Sequence, residues 1–200
     1  MSENAPQRVR SASQTHGVMI VVVGPSGAGK DTLMQFAATQ FGQSDRLYFA
    51  RRVITRDSDA GGENHDAVSQ EEFDRRQGAG AFCISWRAHG LSYGIPASVL
   101  DRLEEGQIVV ANGSRSALSL FKATFPSLKV INVIASPEVL AERLQSRGRE
   151  SRDDILRRLQ RGSIEVCGNF DVTTIDNSGA LEHSGKMLAD VLEETIRHSR

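Results

Sequence analysis

Residues 24–31 read Gly24-Pro25-Ser26-Gly27-Ala28-Gly29-Lys30-Asp31, a phosphate-binding loop in all but its last position. Glycines let a backbone curl until successive N–H groups point inward at an anion. A helix N-terminus adds partial positive charge. Lys30 adds a point charge suited to β- and γ-phosphates. Residues Gly24 to Lys30, with Asp31 and Thr32, are therefore the candidate nucleotide site. The residue after the lysine is ordinarily Ser or Thr, whose hydroxyl binds Mg²⁺. Here it is Asp31, followed by Thr32. A carboxylate is a hard ligand for Mg²⁺, directly or through water, so Asp31 is the candidate metal residue. A helix dipole alone also favours an acidic first turn, and the sequence leaves both readings open.

A loop of this kind works only between a strand and a helix. The apolar, β-branched run Met19-Ile20-Val21-Val22-Val23 predicts a buried strand before it. Asp31 to Phe41 predicts a helix after it, with Leu33, Phe36, Ala37 and Phe41 on one face. Strands are expected at 47–50, 53–54, 81–86, 108–111, 129–135 and 172–175. Helices are expected at 71–77, from Pro96 toward Glu105, from about Ser116, from Ser136-Pro137, at 153–161 and over the last twenty residues. Ser69 and Glu72 fit a capping box, and Gly90 to Gly94 reads as a turn. Alternating strands and helices predict an α/β domain with a parallel sheet. Ligands bind such sheets at the carboxyl ends of the strands. The loop 24–31, the turn 112–115 and the loop 176–179 should then share one edge.

Arginine is concentrated twice. Arg46, Arg51, Arg52 and Arg56 form one group, and seven arginines between Arg143 and Arg161 form another. Arginine binds phosphate bidentately, which lysine cannot do. Two such groups suit a reaction between two phosphorylated molecules, one group holding the acceptor and the other closing over the donor. Most of the second group reads better as a solvated helix face. His65 and His89 read as loop histidines making ordinary hydrogen bonds, and Trp86 as a core or pocket wall.

The formal net charge is −1, so no global field draws the chain to nucleic acid or to a membrane. No apolar run approaches the length of a membrane span. Cys83 and Cys167 make no metal spacing and read as reduced thiols of a cytoplasmic protein. Residues 1–17 are polar and read as a disordered tail ahead of a single domain over 18–200.

From about residue 18 to 196 the chain resembles the guanylate-kinase-like branch of the nucleoside monophosphate kinases. The resemblance rests on Gly24 to Lys30, Ile54-Thr55-Arg56, Val68-Ser69-x-Glu71-x-Phe73, Trp86 with Gly90, Tyr93 and Gly94, and Arg147-Gly148 with Arg158-Leu159. Guanylate kinases read guanine with a Glu just before that Trp and an Asp after the later strand. Here those places hold Ser85 and Asn112, so both carboxylates are gone. The departures resemble the ribose 1,5-bisphosphate phosphokinases of phosphonate utilisation. They share Gly29-Lys30-Asp31, Glu63-Asn64-His65, Ser85-Trp86, Gly90-Leu91-x-Tyr93-Gly94, Asn112-Gly113-Ser114-Arg115 and Arg147-Gly148-Arg149-Glu150.

The resemblance implies a P-loop NTPase-type three-layer α/β/α fold, with an acceptor-binding insertion over about 46–95 and a lid over about 147–154. It implies ATP-dependent phosphorylation of ribose 1,5-bisphosphate to 5-phosphoribosyl 1-diphosphate (PRPP), with Mg²⁺. Lys30, Arg147 and Arg158 would be catalytic. Arg52, Arg56 and Tyr93 would hold an acceptor phosphate, Asn112 and Ser114 the ribose hydroxyls, and Arg115 the second phosphate. The partners are then a phosphorylated sugar acceptor and a nucleotide donor, without nucleic acid or membrane. Two alternatives stand beside this reading. One is a guanylate or other nucleoside monophosphate kinase. The other is a non-catalytic guanylate-kinase-like interaction domain, against which the intact Gly29-Lys30 argues.

Overall fold

Val18–Val23 form β1, and Met19 to Val23 have no exposed surface. A strand buried on both faces must find an apolar layer on each side. Met19, Val21 and Val23 pack with Val109, Ala111, Leu118 and Phe121. Ile20 and Val22 pack on the opposite face with Leu33, Ala37, Leu188 and Leu192. The result is helices on both sides of a central sheet, the three-layer α/β/α arrangement expected. The computed structural model describes residues 17–57, 64–146 and 166–199. The lid, the helix expected at 153–161, Arg147 and Arg158 lie outside the described residues, as does the expected tail apart from Gly17. The Gly17 N–H donates to the Leu103 carbonyl at 2.9 Å.

The central sheet contains β1, β2 (Leu47–Ala50), β7 (Ile108–Asn112), β8 (Leu128–Ile134) and β9 (Asp171–Asp176), in the order β2-β7-β1-β8-β9. All pairings are parallel, with Val22 beside Asn112 and Val23 beside Asn132. Helix α1 (Lys30–Phe41) packs on one face with the last helix, α6 (Leu181–His198). Helices α3 (Ser98–Glu104) and α4 (Leu118–Thr124) cover the other face. Helix α5 (Pro137–Gln145) starts at Ser136, whose hydroxyl caps the Val139 N–H at 3.3 Å. The chain runs from β1 to one side of the sheet and from β7 across to the other. The order thus reverses at β1, and a cleft opens at its carboxyl end.

Against this body lies a second sheet of four strands, β3 (Val53–Ile54), β4 (Asp66–Ala67), β5 (Phe82–Ala88) and β6 (Leu91–Pro96), ordered β4-β3-β6-β5. Here two expectations are corrected. Residues 90–94 are not a turn. The hairpin reverses at His89-Gly90, with φ of 50° and 76°, the paired positive values of a two-residue hairpin turn. Gly94 lies inside β6, where the Phe82 ring approaches so closely that a Cβ would stand 2.7 Å from it. Gly94 is a packing glycine, not a turn glycine. The capping box is also half formed. Ser69 caps α2 (Gln70–Gly78) through the Glu72 N–H at 3.1 Å. The Glu72 carboxylate does not reach back to the cap. It is taken by Arg75 at 2.7 Å and Arg76 at 2.6 Å. Those two guanidiniums, Arg75 first, hold Glu72 down to about 2. Charge-assisted bonds outcompete a neutral backbone N–H.

Both cysteines are free. Burial pushes the Cys83 thiol up to about 11, which leaves it unreactive at neutral pH. Among the described residues no helix is long and apolar enough to cross a membrane.

Gly94→Ala should therefore lower stability by about 1–3 kcal/mol, because the Phe82 ring is held in place by stacking on Phe73 at 4.7 Å. In a chain of this size that is a fall in Tm of roughly 2–4 °C per kcal/mol. Adding Phe82→Leu should recover part of the loss, whereas additive losses in thermal unfolding would show that the two positions do not compete for space.

Candidate active site

The turn between β1 and α1 is built from residues of positive φ, with Gly24 at 152°, Gly27 at 86° and Gly29 at 87°. A curl that turns N–H groups inward must turn carbonyls outward, and those carbonyls need donors. Three elements supply them. Asn177, just past β9, donates its amide to the Ala28 carbonyl at 2.7 Å. Arg143 of α5 reaches the Gly27 carbonyl at 3.5 Å and the Asn177 carbonyl at 3.0 Å. Lys30 donates from Nζ to the Gly24 and Pro25 carbonyls at 3.0 and 3.1 Å. Asn177 is itself fixed by the Ser184 hydroxyl of α6, which donates to its Oδ1 at 2.6 Å. Gly29 is where this buttress passes closest. A Cβ there would stand 2.3 Å from the Asn177 amide.

Asp31 follows in the first turn of α1. Its Oδ1 accepts from the amide of Asn112 at the end of β7, at 2.5 Å. Thr32 is exposed on the same turn. The three predicted edges do meet: the loop 24–31 touches residue 112 on one side and residue 177 on the other.

Three arginines of the first group, Arg51, Arg52 and Arg56, line the same cavity as the loop. Arg52 is 7% exposed, and its guanidinium lies over the Tyr93 ring at 5.0 Å and the Trp86 ring at 5.7 Å. Those rings stack on each other at 5.4 Å and an interplanar angle of 9°. Ring faces hold a guanidinium without neutralising it. Arg56 has its Nη2 3.4 Å from His65 Nδ1, and its Nε is buried with no hydrogen-bond partner among the described residues. Arg51 donates to the His65 carbonyl at 2.8 Å.

One cavity of about 1040 Å³ joins the two sides. Lys30, Arg51, Arg52 and Arg56 line it, against Asp31 as the single lining carboxylate among the described residues. Such a cleft selects anions. Gly24, Ser26, Gly27, Gly29, Thr32, Tyr93, Asn112 and Ser114 also line it. Pro25, Ala28 and Arg115 do not, and Arg115 is half-buried, with burial pushing its guanidinium pKa down. Ser85 is likewise outside the cavity, where its hydroxyl accepts from Gln77 at 3.0 Å. Trp86 is a wall of the cleft, as its type suggested. The sequence reading missed Arg143, Asn177 and His65. For Asn177 a signal existed, since it sits where a parallel strand ends on the predicted ligand edge. Arg143 was visible only as one arginine among seven.

The guanylate kinase family model matches residues 16–195. The chain is 62% identical to a protein of Agrobacterium fabrum named ribose 1,5-bisphosphate phosphokinase PhnN, over 91% of this chain and 100% of that protein. It is 55% identical to a protein of the same name from Rhizobium etli, over 91% of this chain and 92% of that one. Among solved structures it is similar to guanylate kinase from Anaplasma phagocytophilum, with a TM-score of 0.63 and 18% identity over 89% of this chain and 85% of that one. At that identity the structural likeness speaks for the fold.

The loop buttress generates an expectation. Asn177→Ala removes the donor to Ala28 and should cost about 1–3 kcal/mol. Asn177→Asp keeps the shape but sets a carboxylate against the Ala28 carbonyl, and should cost more at neutral pH. Both should weaken binding of a nucleoside triphosphate in calorimetry. Unchanged affinity in either variant would mean that the loop does not depend on this strand end.

Proposed function

This chain belongs to the guanylate kinase family, in its ribose 1,5-bisphosphate phosphokinase branch, and from that we propose that its cleft phosphorylates ribose 1,5-bisphosphate at the expense of ATP. The γ-phosphoryl group passes to an oxygen of the 1-phosphate, giving PRPP and ADP. The observation that carries this reading is the one cavity with a phosphate loop at one end and the Arg52 and Arg56 pair at the other. Two separated cation sites match two phosphorylated substrates. A phosphate acceptor is already ionised near neutral pH, so no general base is needed. Catalysis then rests on positioning and on charge neutralisation.

Lys30 and the loop N–H groups hold the donor phosphates. Arg147 and Arg158 offset charge on the transferring group. Arg56, with its buried Nε, and Arg52, on its aromatic seat, take an acceptor phosphate. Tyr93 stands beside the same phosphate, and Ser114 beside the sugar. Asn112, given by resemblance to the ribose, lines the cavity with its amide on Asp31. Nothing in this set replaces the carboxylates that guanylate kinases aim at guanine.

The residues present fit Mg²⁺. Among the described residues no group of three His, Cys, Asp or Glu side chains is placed to hold a metal ion alone. Mg²⁺ commonly takes one or two protein carboxylates and completes its shell with substrate phosphates and water. Asp31, beside the loop, provides one carboxylate, with Asn112 on one of its oxygens. When bound, the ion would neutralise charge on the donor phosphates.

Two measurements test this. ADP release with ribose 1,5-bisphosphate should show a kcat/KM at least about a hundredfold above that with GMP, since unpaired polar groups of guanine are costly to bury. Comparable values would return the chain to the nucleotide kinases. Asp31→Ala should raise the Mg²⁺ concentration for half-maximal rate and weaken Mn²⁺ binding to the ADP complex, read by electron paramagnetic resonance. Asp31→Ser should stay near the parent, because it restores the usual hydroxyl. Identical curves for all three would remove Asp31 from the metal site.

A further inference from the structure

His65 is 4% exposed and sits at the entry to β4, immediately before the Asp66 N–H that donates to the Arg52 carbonyl at 2.8 Å. Its ring meets Arg56 twice. Nε2 lies 3.1 Å from the Arg56 carbonyl and Nδ1 lies 3.4 Å from Arg56 Nη2. A carbonyl only accepts and a guanidinium only donates. The two contacts match an imidazole that carries its proton on Nε2 and turns the Nδ1 lone pair toward Arg56. The His65 carbonyl meanwhile accepts from Arg51 at 2.8 Å. One residue thus holds the backbone of Arg56, the guanidinium of Arg56 and the guanidinium of Arg51. An arginine side chain has much rotamer freedom to lose, and a fork that is already aimed loses less of it on binding.

We propose that His65 is a positioning residue for the acceptor: its Nδ1 holds the Arg56 guanidinium in the orientation that receives the acceptor phosphate. The inference rests on the reading of Arg56 as an acceptor ligand. His65 acts through Arg56 and does not touch the phosphate. An Nδ1 lone pair suits that task, because it orients the guanidinium without a carboxylate's charge. The neighbouring Asp66 does not compete for Arg56, since Arg76 holds it at 2.7 Å.

Three substitutions separate the two ring contacts. His65→Asn places an acceptor oxygen where Nδ1 stands. His65→Gln places a donor where Nε2–H stands. His65→Ala removes both. Steady-state kinetics with ribose 1,5-bisphosphate and ATP, with Tm measured for each variant, should show His65→Ala raising the acceptor KM about tenfold. The ATP KM and kcat should stay within about twofold. His65→Asn should recover most of the acceptor KM and His65→Gln little of it. In an Arg56→Ala background, His65→Ala should add nothing further. If His65→Ala fails to fold, the Asn and Gln pair carries the same contrast. Equal acceptor KM values for parent, Asn and Gln variants would overturn the proposal, as would full additivity with Arg56→Ala. If Arg56→Ala itself leaves the acceptor KM unchanged, the parent reading of Arg56 fails, and a His65 effect cannot be attributed to positioning.

Discussion

The outward-facing carbonyls of the phosphate loop are the constraint on which the other features of the site depend. A backbone that offers its N–H groups to an anion leaves Gly24, Pro25, Gly27 and Ala28 carbonyls in need of donors. Those donors come from Lys30, Arg143 and Asn177, which belong to three different elements. The loop can keep its shape only if β9, with β8 between it and β1, ends at the same edge of the sheet as β1, if α5 returns over the loop, and if α6 brings Ser184 to Asn177. A parallel sheet with its strand order reversing at β1 meets all of these conditions at once.

The second sheet answers a different difficulty. A guanidinium taken out of water is costly unless something compensates it. Arg52 lies over two stacked ring faces, a contact worth roughly 0.5–2 kcal/mol. Trp86 and Tyr93 can stack because β5 and β6 pair them directly across the hairpin, with Gly94 letting Phe82 close behind them. Arg56 is held by His65 rather than by an acid, and among the described residues no carboxylate pairs with it. Arg75 and Arg76, by contrast, are taken up by Glu72.

Selectivity follows from what the cleft leaves out. Asn112 and Ser85 occupy the positions from which related kinases address guanine. Asn112 turns its amide to Asp31, and Ser85 turns away to Gln77. At these two positions a purine meets no carboxylate. A sugar carrying two phosphates finds arginines instead. Asn112 also meets the carboxylate beside the phosphate loop, its amide donating to Asp31.

The sequence by itself determined the strand-loop-helix at 18–41, the parallel α/β architecture, and the candidate residues Lys30, Asp31, Arg52, Arg56 and Asn112. These are local signals: an apolar β-branched run, glycine spacing, and arginine in place of lysine. It also carried the family, because short motifs in fixed order survive as residue types. Which partner each of them meets is set by how the strands are ordered in space. Asp31 and Asn112 are 81 positions apart and touch because β7 lies beside β1. Asn177 and Ala28 are 149 apart and touch because the sheet ends there. Gly94 looked like a turn and proved to be a strand glycine, because the ring that requires it comes from another strand. His65 looked like an ordinary loop histidine because nothing local shows that its ring will close on Arg56. Backbone propensity is written in neighbours along the chain, whereas buried polar partners are chosen by neighbours in space.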